Sequence, residues 1–274
     1  MKTSILTDVQ ANTVYFSSLI KPYTCFKELK PLLERFEIPY HFVSNTADLW
    51  VRDFMPVQLT EDCYCQFVYR PDYLADLQSY QTDPQRCTPG LPFSSRIQLC
   101  DIVVDGGNVI KCDDRVIMTD KVFRENKSLS RNEVISRLEK AMECEILFIP
   151  HDPNEKTGHA DGMVRFIGND TVLLNHYIDF DEDLRSRLLR ALSPKFEVAE
   201  LCHGTSKNIL TSWAYLNYMQ VGSKYFVPAF QNKLDDFAFR QLEDILQTEV
   251  HPVYARSVVK LGGALNCLSW TVKE

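Results

Sequence analysis

Helix-patterned runs alternate with short strand-like runs along the whole chain, and that alternation restricts the fold more than any other feature. Cys25 to Phe36 sets Leu29, Leu32, Leu33 and Phe36 at helical spacing ahead of Pro39, and Tyr40 to Ser44 then reads as a strand. Ser130-Arg131-Asn132-Glu133 has capping-box spacing and opens a helix through Ala141, followed by the strand Ile146 to Ile149. Asp181 to Leu192, stopped by Pro194, leads to the strand Phe196 to Leu201, and the helix Leu234 to Gln247 leads to Val250 to Tyr254. Other extended runs are Cys63 to Tyr69, Ile102 to Val104, Arg115 to Thr119, Tyr215 to Met219 and Tyr225 to Pro228. Gly168-Asn169-Asp170 is a hairpin signal between Met163 to Ile167 and Thr171 to Asn175, and an apolar run from Leu265 to Val272 closes the chain. The expectation is an α/β architecture with mixed sheets, and the recurring helix-then-strand spacing permits a pseudo-symmetric assembly although no exact repeat is present. Pro71 to Ser95, which holds Pro71, Pro84, Pro89, Gly90 and Pro92, breaks the pattern and reads as a lid or a disordered connection. No domain boundary is evident, so residues 1–274 are expected to form a single domain.

Thirty Lys and Arg stand against 37 Asp and Glu, a net charge of -7 with no basic cluster, which argues against nucleic-acid binding and suits a small cationic substrate. No apolar run approaches the roughly 18 residues of a membrane span, and Asp8 interrupts the N-terminus before an apolar signal segment forms. Nine scattered cysteines, an odd number without a CxxC pair, fit reduced thiols packed as small hydrophobes, a cytoplasmic setting and no metal site.

Four polar clusters carry turn signals. Thr46 to Pro56 holds Asp48, Trp50, Arg52 and Asp53 directly after a strand, where α/β proteins place ligand loops; read alone, a surface loop with an internal Arg–Asp pair explains it as well. Asp105-Gly106-Gly107-Asn108 sets a carboxylate at a strand end before two glycines, although Asp-Gly also marks a plain turn. In Gly158-His159-Ala160-Asp161-Gly162 an extended backbone would face His159 and Asp161 to one side, so that the carboxylate tunes the imidazole for acid–base work; a capped loop histidine is the plainer reading. Leu261 to Trp270 sets Cys267 shortly after Gly262-Gly263 at the mouth of the last strand, as a thiol nucleophile or as a buried structural cysteine. His41, His151, His176, His203 and His251 lack such a context and read as structural. Together, one Cys, one His and several Asp on strand-end loops point to thiol catalysis on a cation, and paired aspartates suit the fixed fork of a guanidinium.

Trp50-Val51-Arg52-Asp53-x-x-Pro56, Asp105-Gly106-Gly107-Asn108, Gly158-His159-Ala160-Asp161 through Arg165-Phe166, and Gly262-Gly263-x-x-Asn266-Cys267 follow one another as in the agmatine deiminase and bacterial peptidylarginine deiminase-type family, which the chain resembles from about Asp48 to Trp270. Tyr215-Leu216-Asn217-Tyr218, followed by Val227-Pro228, resembles a further segment of that family. The resemblance implies a five-bladed α/β-propeller, the pentein fold, with pseudo-five-fold symmetry, a central active site, no metal and no organic cofactor. It further implies that Cys267 attacks the guanidinium carbon, Asp53 and Asp161 clamp the guanidinium nitrogens, His159 moves protons, Asp105 orients His159, and Trp50 walls the pocket. Asp48 and Arg165 join Trp50 as candidate substrate-binding residues, Arg165 as a partner for a substrate carboxylate. Three positions depart from the family pattern: Asp105 stands where Glu is usual, Asn266 where His is common, and Ala264 where a third glycine is usual. The rival readings are an amidinotransferase or methylarginine hydrolase with the same core, a catalytically silent binding module, and a papain-like thiol hydrolase. The last is disfavoured because no helix N-terminus stands behind Cys267. A homo-oligomer stays open.

Overall fold

The computed structural model describes residues 4–175, 177, 178, 180–202 and 213–274. Its strands form five three-stranded sheets, each with one antiparallel and one parallel pairing about the central strand. The first joins β15 (Trp270–Val272), β1 (Thr13–Ser17) and β2 (Tyr40–Val43), and the second joins β3 (Val57–Thr60), β4 (Cys63–Val68) and β5 (Ile97–Val103). The third holds β6 (Ile110–Cys112), β7 (Arg115–Thr119) and β8 (Glu145–Ile149), and the fourth holds β9 (Val164–Phe166), β10 (Thr171–Asn175) and β11 (Glu197–Leu201). The fifth holds β12 (Met219–Val221), β13 (Lys224–Ala229) and β14 (Val250–Tyr254).

A parallel pair cannot close through a tight turn, so each unit needs a crossover. In four units a helix supplies it: Thr24–Arg35, Arg131–Met142, Glu182–Leu192 and Lys233–Leu246. Each buries one apolar stripe; Val134, Leu138 and Met142 recur every fourth residue, and the Ser130–Glu133 capping box is formed in both directions. In the second unit the crossover is instead the proline-rich stretch 69–96, built from one-turn pieces such as Asp72–Leu74 and Gln78–Tyr80. The irregularity seen in the sequence is thus a replaced helix. Central strands are buried on both faces, as Val116, Ile117 and Met118 are in β7, which explains their unbroken apolar runs. The first and last described strands share one sheet, with Tyr15 opposite Trp270, and Trp270 donates its indole N–H to Pro56 O at 2.7 Å.

Three segments differ from the sequence expectation or sharpen it. Tyr215 to Met219 is not extended: Trp213–Tyr215 is a short helical turn, and the strand starts at Met219. Leu265 to Val272 is a strand only over Trp270–Val272, because bonds from Leu268 N to Ala264 O and from Ser269 N to Asn266 O fold Cys267 into tight turns. His159 and Asp161 do not alternate along a strand, since Ala160–Gly162 is a helical turn with His159 at its N-cap.

Candidate active site

Backbone turns that only glycine permits bring the four clusters together. A Cβ on Gly106 would stand 1.9 Å from Arg52 O, and one on Gly107 would stand 2.6 Å from His159 Nδ1 and 2.7 Å from Asp53 Oδ1. On Gly263 it would strike the Trp50 ring at 2.3 Å. These contacts seat the one-turn helix Val51–Phe54, which carries Asp53, against the loop that carries Asp105 and the turn that carries His159.

Asp48, Trp50, Asp53, His159, Asp161 and Cys267 all line one cavity of about 680 Å³. His159 lies between two acids, Nε2 being 2.9 Å from Asp105 Oδ2 and Nδ1 being 3.6 Å from Asp53 Oδ1. Asp53 Oδ1 also accepts the Gly107 N–H at 3.0 Å. On the other side, Asp161 Oδ2 is 3.4 Å from Cys267 Sγ and accepts Asn266 Nδ2–H at 2.7 Å. Asn266, which stands where the family commonly has His, therefore fixes the carboxylate beside the nucleophile candidate. Cys267 Sγ is also 3.3 Å from Asn217 Oδ1, which accepts the Cys267 N–H at 3.3 Å. The stretch 69–96 roofs the cavity with Tyr73, Leu74, Leu77 and Tyr80, and the Tyr73 ring meets His159 edge-on at 5.8 Å.

The charges are strongly perturbed. Burial would push His159 down, but Asp53 and Asp105 outweigh it and raise the imidazole to about 9. Burial and the neighbouring acids, against the pull of His159, raise Asp53 to about 7. Asp48, buried with only the Trp50 N–H at 3.0 Å to support its charge, rises to about 6. Burial, then Asp161 and Asp53, push the Cys267 thiol well above its usual range, so it rests protonated. Asp105 is held below the usual carboxylate range despite burial, chiefly by Lys121, whose Nζ lies 2.5 Å from Oδ2.

Lys121, Asn217 and Tyr73 were not among the residues singled out from the sequence. Asn217 lies in a segment of family resemblance that carried no role, and nothing local marks Lys121, on the short helix Lys121–Glu125, as wholly buried. Arg165 requires a correction. It does not face this cavity but lines a second one, of about 390 Å³, where its guanidinium is 3.1 Å from Asp8 Oδ2 and 4.5 Å from the Tyr218 ring centroid. Asp8 and that ring satisfy its charge, so it has no place against a substrate here. Arg52 turns the same way, 3.8 Å from Asp8, and the Arg–Asp pair internal to its loop does not form. His151 pairs with Asp120, and the His41 ring packs tilted against Tyr15. His176 and His203 lie outside the described residues. Among the described residues, no group of three or more His, Cys, Asp or Glu side chains is arranged to hold a metal.

Five ββ-crossover-β units, with one cavity that presents Cys, His and paired Asp, define a thiol-containing pentein. The profile of the Porphyromonas-type peptidyl-arginine deiminase family matches residues 18–272, and the chain belongs to that family. Its fold is shared with a C. jejuni agmatine deiminase solved with substrate bound (TM-score 0.77, 15% identity, 100% of this chain and 97% of that one). It is shared equally with an Enterococcus faecalis agmatine deiminase (TM-score 0.76, 15% identity, 100% and 96%). A Pseudomonas aeruginosa DDAH in complex with citrulline is similar at TM-score 0.64 and 13% identity, over 96% and 100% of the two chains. No curated protein matches the chain in sequence. At such identities the structures bear on the fold alone.

Proposed function

We propose that residues 1–274 act as one catalytic domain that hydrolyses a small cationic guanidine to a ureido product and ammonia. The observation that carries this reading is a single cavity in which Cys267 and His159 each stand beside a buried carboxylate, Asp161 at 3.4 Å and Asp53 at 3.6 Å. A planar guanidinium between Asp53 and Asp161 neutralises the two acids that hold the thiol protonated, so the bound substrate promotes loss of the thiol proton to solvent and leaves the thiolate. Sulfur then adds to the guanidinium carbon. Ammonia departs with a proton from imidazolium His159, and the C–N bond breaks to leave a Cys267 thiouronium. Neutral His159 next removes a proton from water as the water oxygen attacks that carbon; the C–S bond then breaks, the carbonyl of the ureido product forms, and the remaining hydroxyl proton passes to sulfur to return the thiol, with His159 imidazolium again. Asp105 holds His159 from the far side, while Trp50 and Asp48 form the wall.

Besides His159, Lys156 is the only cation lining the cavity among the described residues, and it is exposed. Among the described residues the carboxylate of free arginine therefore meets no buried cation, which favours agmatine or an arginine derivative with no free carboxylate. No described helix is long and apolar enough to cross a membrane. An odd number of cysteines scattered through the sequence without a CxxC pair suits work in a reducing, cytoplasmic setting.

The test is ammonia release from agmatine, free arginine, a C-terminal arginyl peptide and methylated arginine, by wild type and by Cys267→Ala. Release lost in the variant supports the reading and names the substrate. Silence across the panel, with Cys267 also inert to a haloacetamidine, would move the weight to a binding module, and amidine transfer to an added amine without ammonia would point to an amidinotransferase.

A further inference from the structure

A lysine with no exposed surface is costly unless its charge is compensated, and Lys121 is compensated twice: Nζ lies 2.5 Å from Asp105 Oδ2 and 2.6 Å from Glu125 Oε1. Asp105 Oδ2 is also the atom that meets His159 Nε2. Toward the cavity roof, Asp72 Oδ1 stands 3.9 Å from the same ammonium, and the Tyr73 ring lies over it at 5.3 Å. Glu125 Oε1 accepts the Asp72 N–H at 3.2 Å, and Arg124 Nε donates to Asp72 Oδ2 at 2.9 Å. The methylene stem of Lys121 runs beside Gly158, a positive-φ residue directly before His159, where a Cβ on the glycine would meet Lys121 Cδ at 3.4 Å. One side chain therefore touches the carboxylate that holds the imidazole, the loop that carries it, and the segment that covers it.

We propose that Lys121 is a positioning residue that ties the seating of the 69–96 segment over the cavity to the charge on His159. The groups facing His159 are Asp53, Asp105, Lys121 and the Tyr73 ring; those facing Lys121 are Asp105, Glu125, Asp72 and the same ring. Lys121 keeps Asp105 ionised and draws on the same oxygen as the imidazole, so it limits how tightly Asp105 holds the His159 proton. A histidine that must give up a proton and later take one needs that restraint. With the segment seated, Asp72 and Tyr73 confine the ammonium beside Asp105. With the segment lifted, water reaches the ammonium and weakens its hold. Acid–base competence and closure thus become one event. In a chain whose family position carries Asp105, one methylene shorter than Glu, Lys121 also supports that shorter side chain where it meets His159.

The inference rests on the deiminase reading for its meaning in turnover, and its test does not use turnover. His159 is titrated by NMR of ring-labelled histidine in wild type, Lys121→Met and Glu125→Gln, and trypsin cleavage after Arg86, within the 69–96 segment, is timed in the same proteins. Lys121→Met is expected to raise the His159 midpoint by about one unit or more, a tenfold change in proton affinity. Glu125→Gln, nearly isosteric and therefore able to fold if Lys121→Met cannot, is expected to lower it. Cleavage is expected to be about tenfold faster in Lys121→Met. Opposite shifts with faster cleavage support the tie. An unmoved His159 in either folded variant, or unchanged cleavage in Lys121→Met, overturns it. Absence of ammonia release with both shifts present would sink the deiminase reading and leave the tie in place.

Discussion

No hydrogen bond joins the Cys267 sulfur to His159; its polar side-chain partners among the described residues are Asp161 Oδ2 and Asn217 Oδ1. On the proposed mechanism activation comes from the charge of the substrate, which makes Asp161 a brake as well as a clamp. Asp161→Asn should lower ammonia release about 10²–10³-fold, as expected when a charged contact to the reacting group is lost. The same change should speed alkylation of Cys267 by neutral iodoacetamide at pH 7.5, because it removes the nearest negative charge from the thiol. Slower alkylation in that variant would refute the electrostatic account. The pH profile follows from two other side chains. Asp53 must be ionised to grip a cation, so kcat/KM should rise as pH passes through its raised value of about 7. His159 must be protonated to release ammonia, so kcat/KM should fall as pH passes about 9. A profile still rising well above pH 9 would exclude His159 as the acid.

Gly107 shows how a turn can decide chemistry. Its place beneath His159 and Asp53 leaves no room for a methyl group, so Gly107→Ala should keep the fold, checked by circular dichroism, and lose about 100-fold or more in kcat/KM through a displaced imidazole. Such turns were legible as Gly-Gly pairs, and Arg115–Thr119, Thr171–Asn175 and Val250–Tyr254 form strands with the bounds read from the sequence. These strands are rich in β-branched and apolar residues and mostly buried, which makes their pattern strong without any knowledge of their partners. Short pairing strands such as β3 and β6 carry too few residues for a pattern and exist because a neighbour accepts them. Tyr215 to Met219 has the residues of a strand, but the chain turns there so that Asn217 can meet Cys267 and accept the Asn266 N–H. Lys121 was beyond reach for another reason: its burial depends on Asp105, sixteen residues earlier, and on a roof segment earlier still.

Across the whole molecule, the ring of units is closed by the pairing of β1 with β15, and Trp270 is the wedge at that seam. Its ring packs on Tyr15 at 5.2 Å and on Phe93 at 4.8 Å, and its N–H reaches Pro56 in the second unit. Trp270→Ala should cost about 3–5 kcal/mol, read as a lower urea midpoint. Cys267 lies just ahead of that seam, so loosening it should lower activity at urea concentrations below global unfolding. The protonated state of that thiol reaches further than turnover. Hydrogen peroxide attacks thiolates, so Cys267 of the resting protein should resist oxidation to sulfenic acid, since burial and the charges of Asp161 and Asp53 keep it protonated. On the proposed mechanism the sulfur ionises while a cation occupies the well, and Cys267 of a working enzyme should then be more vulnerable to oxidant than that of an idle one.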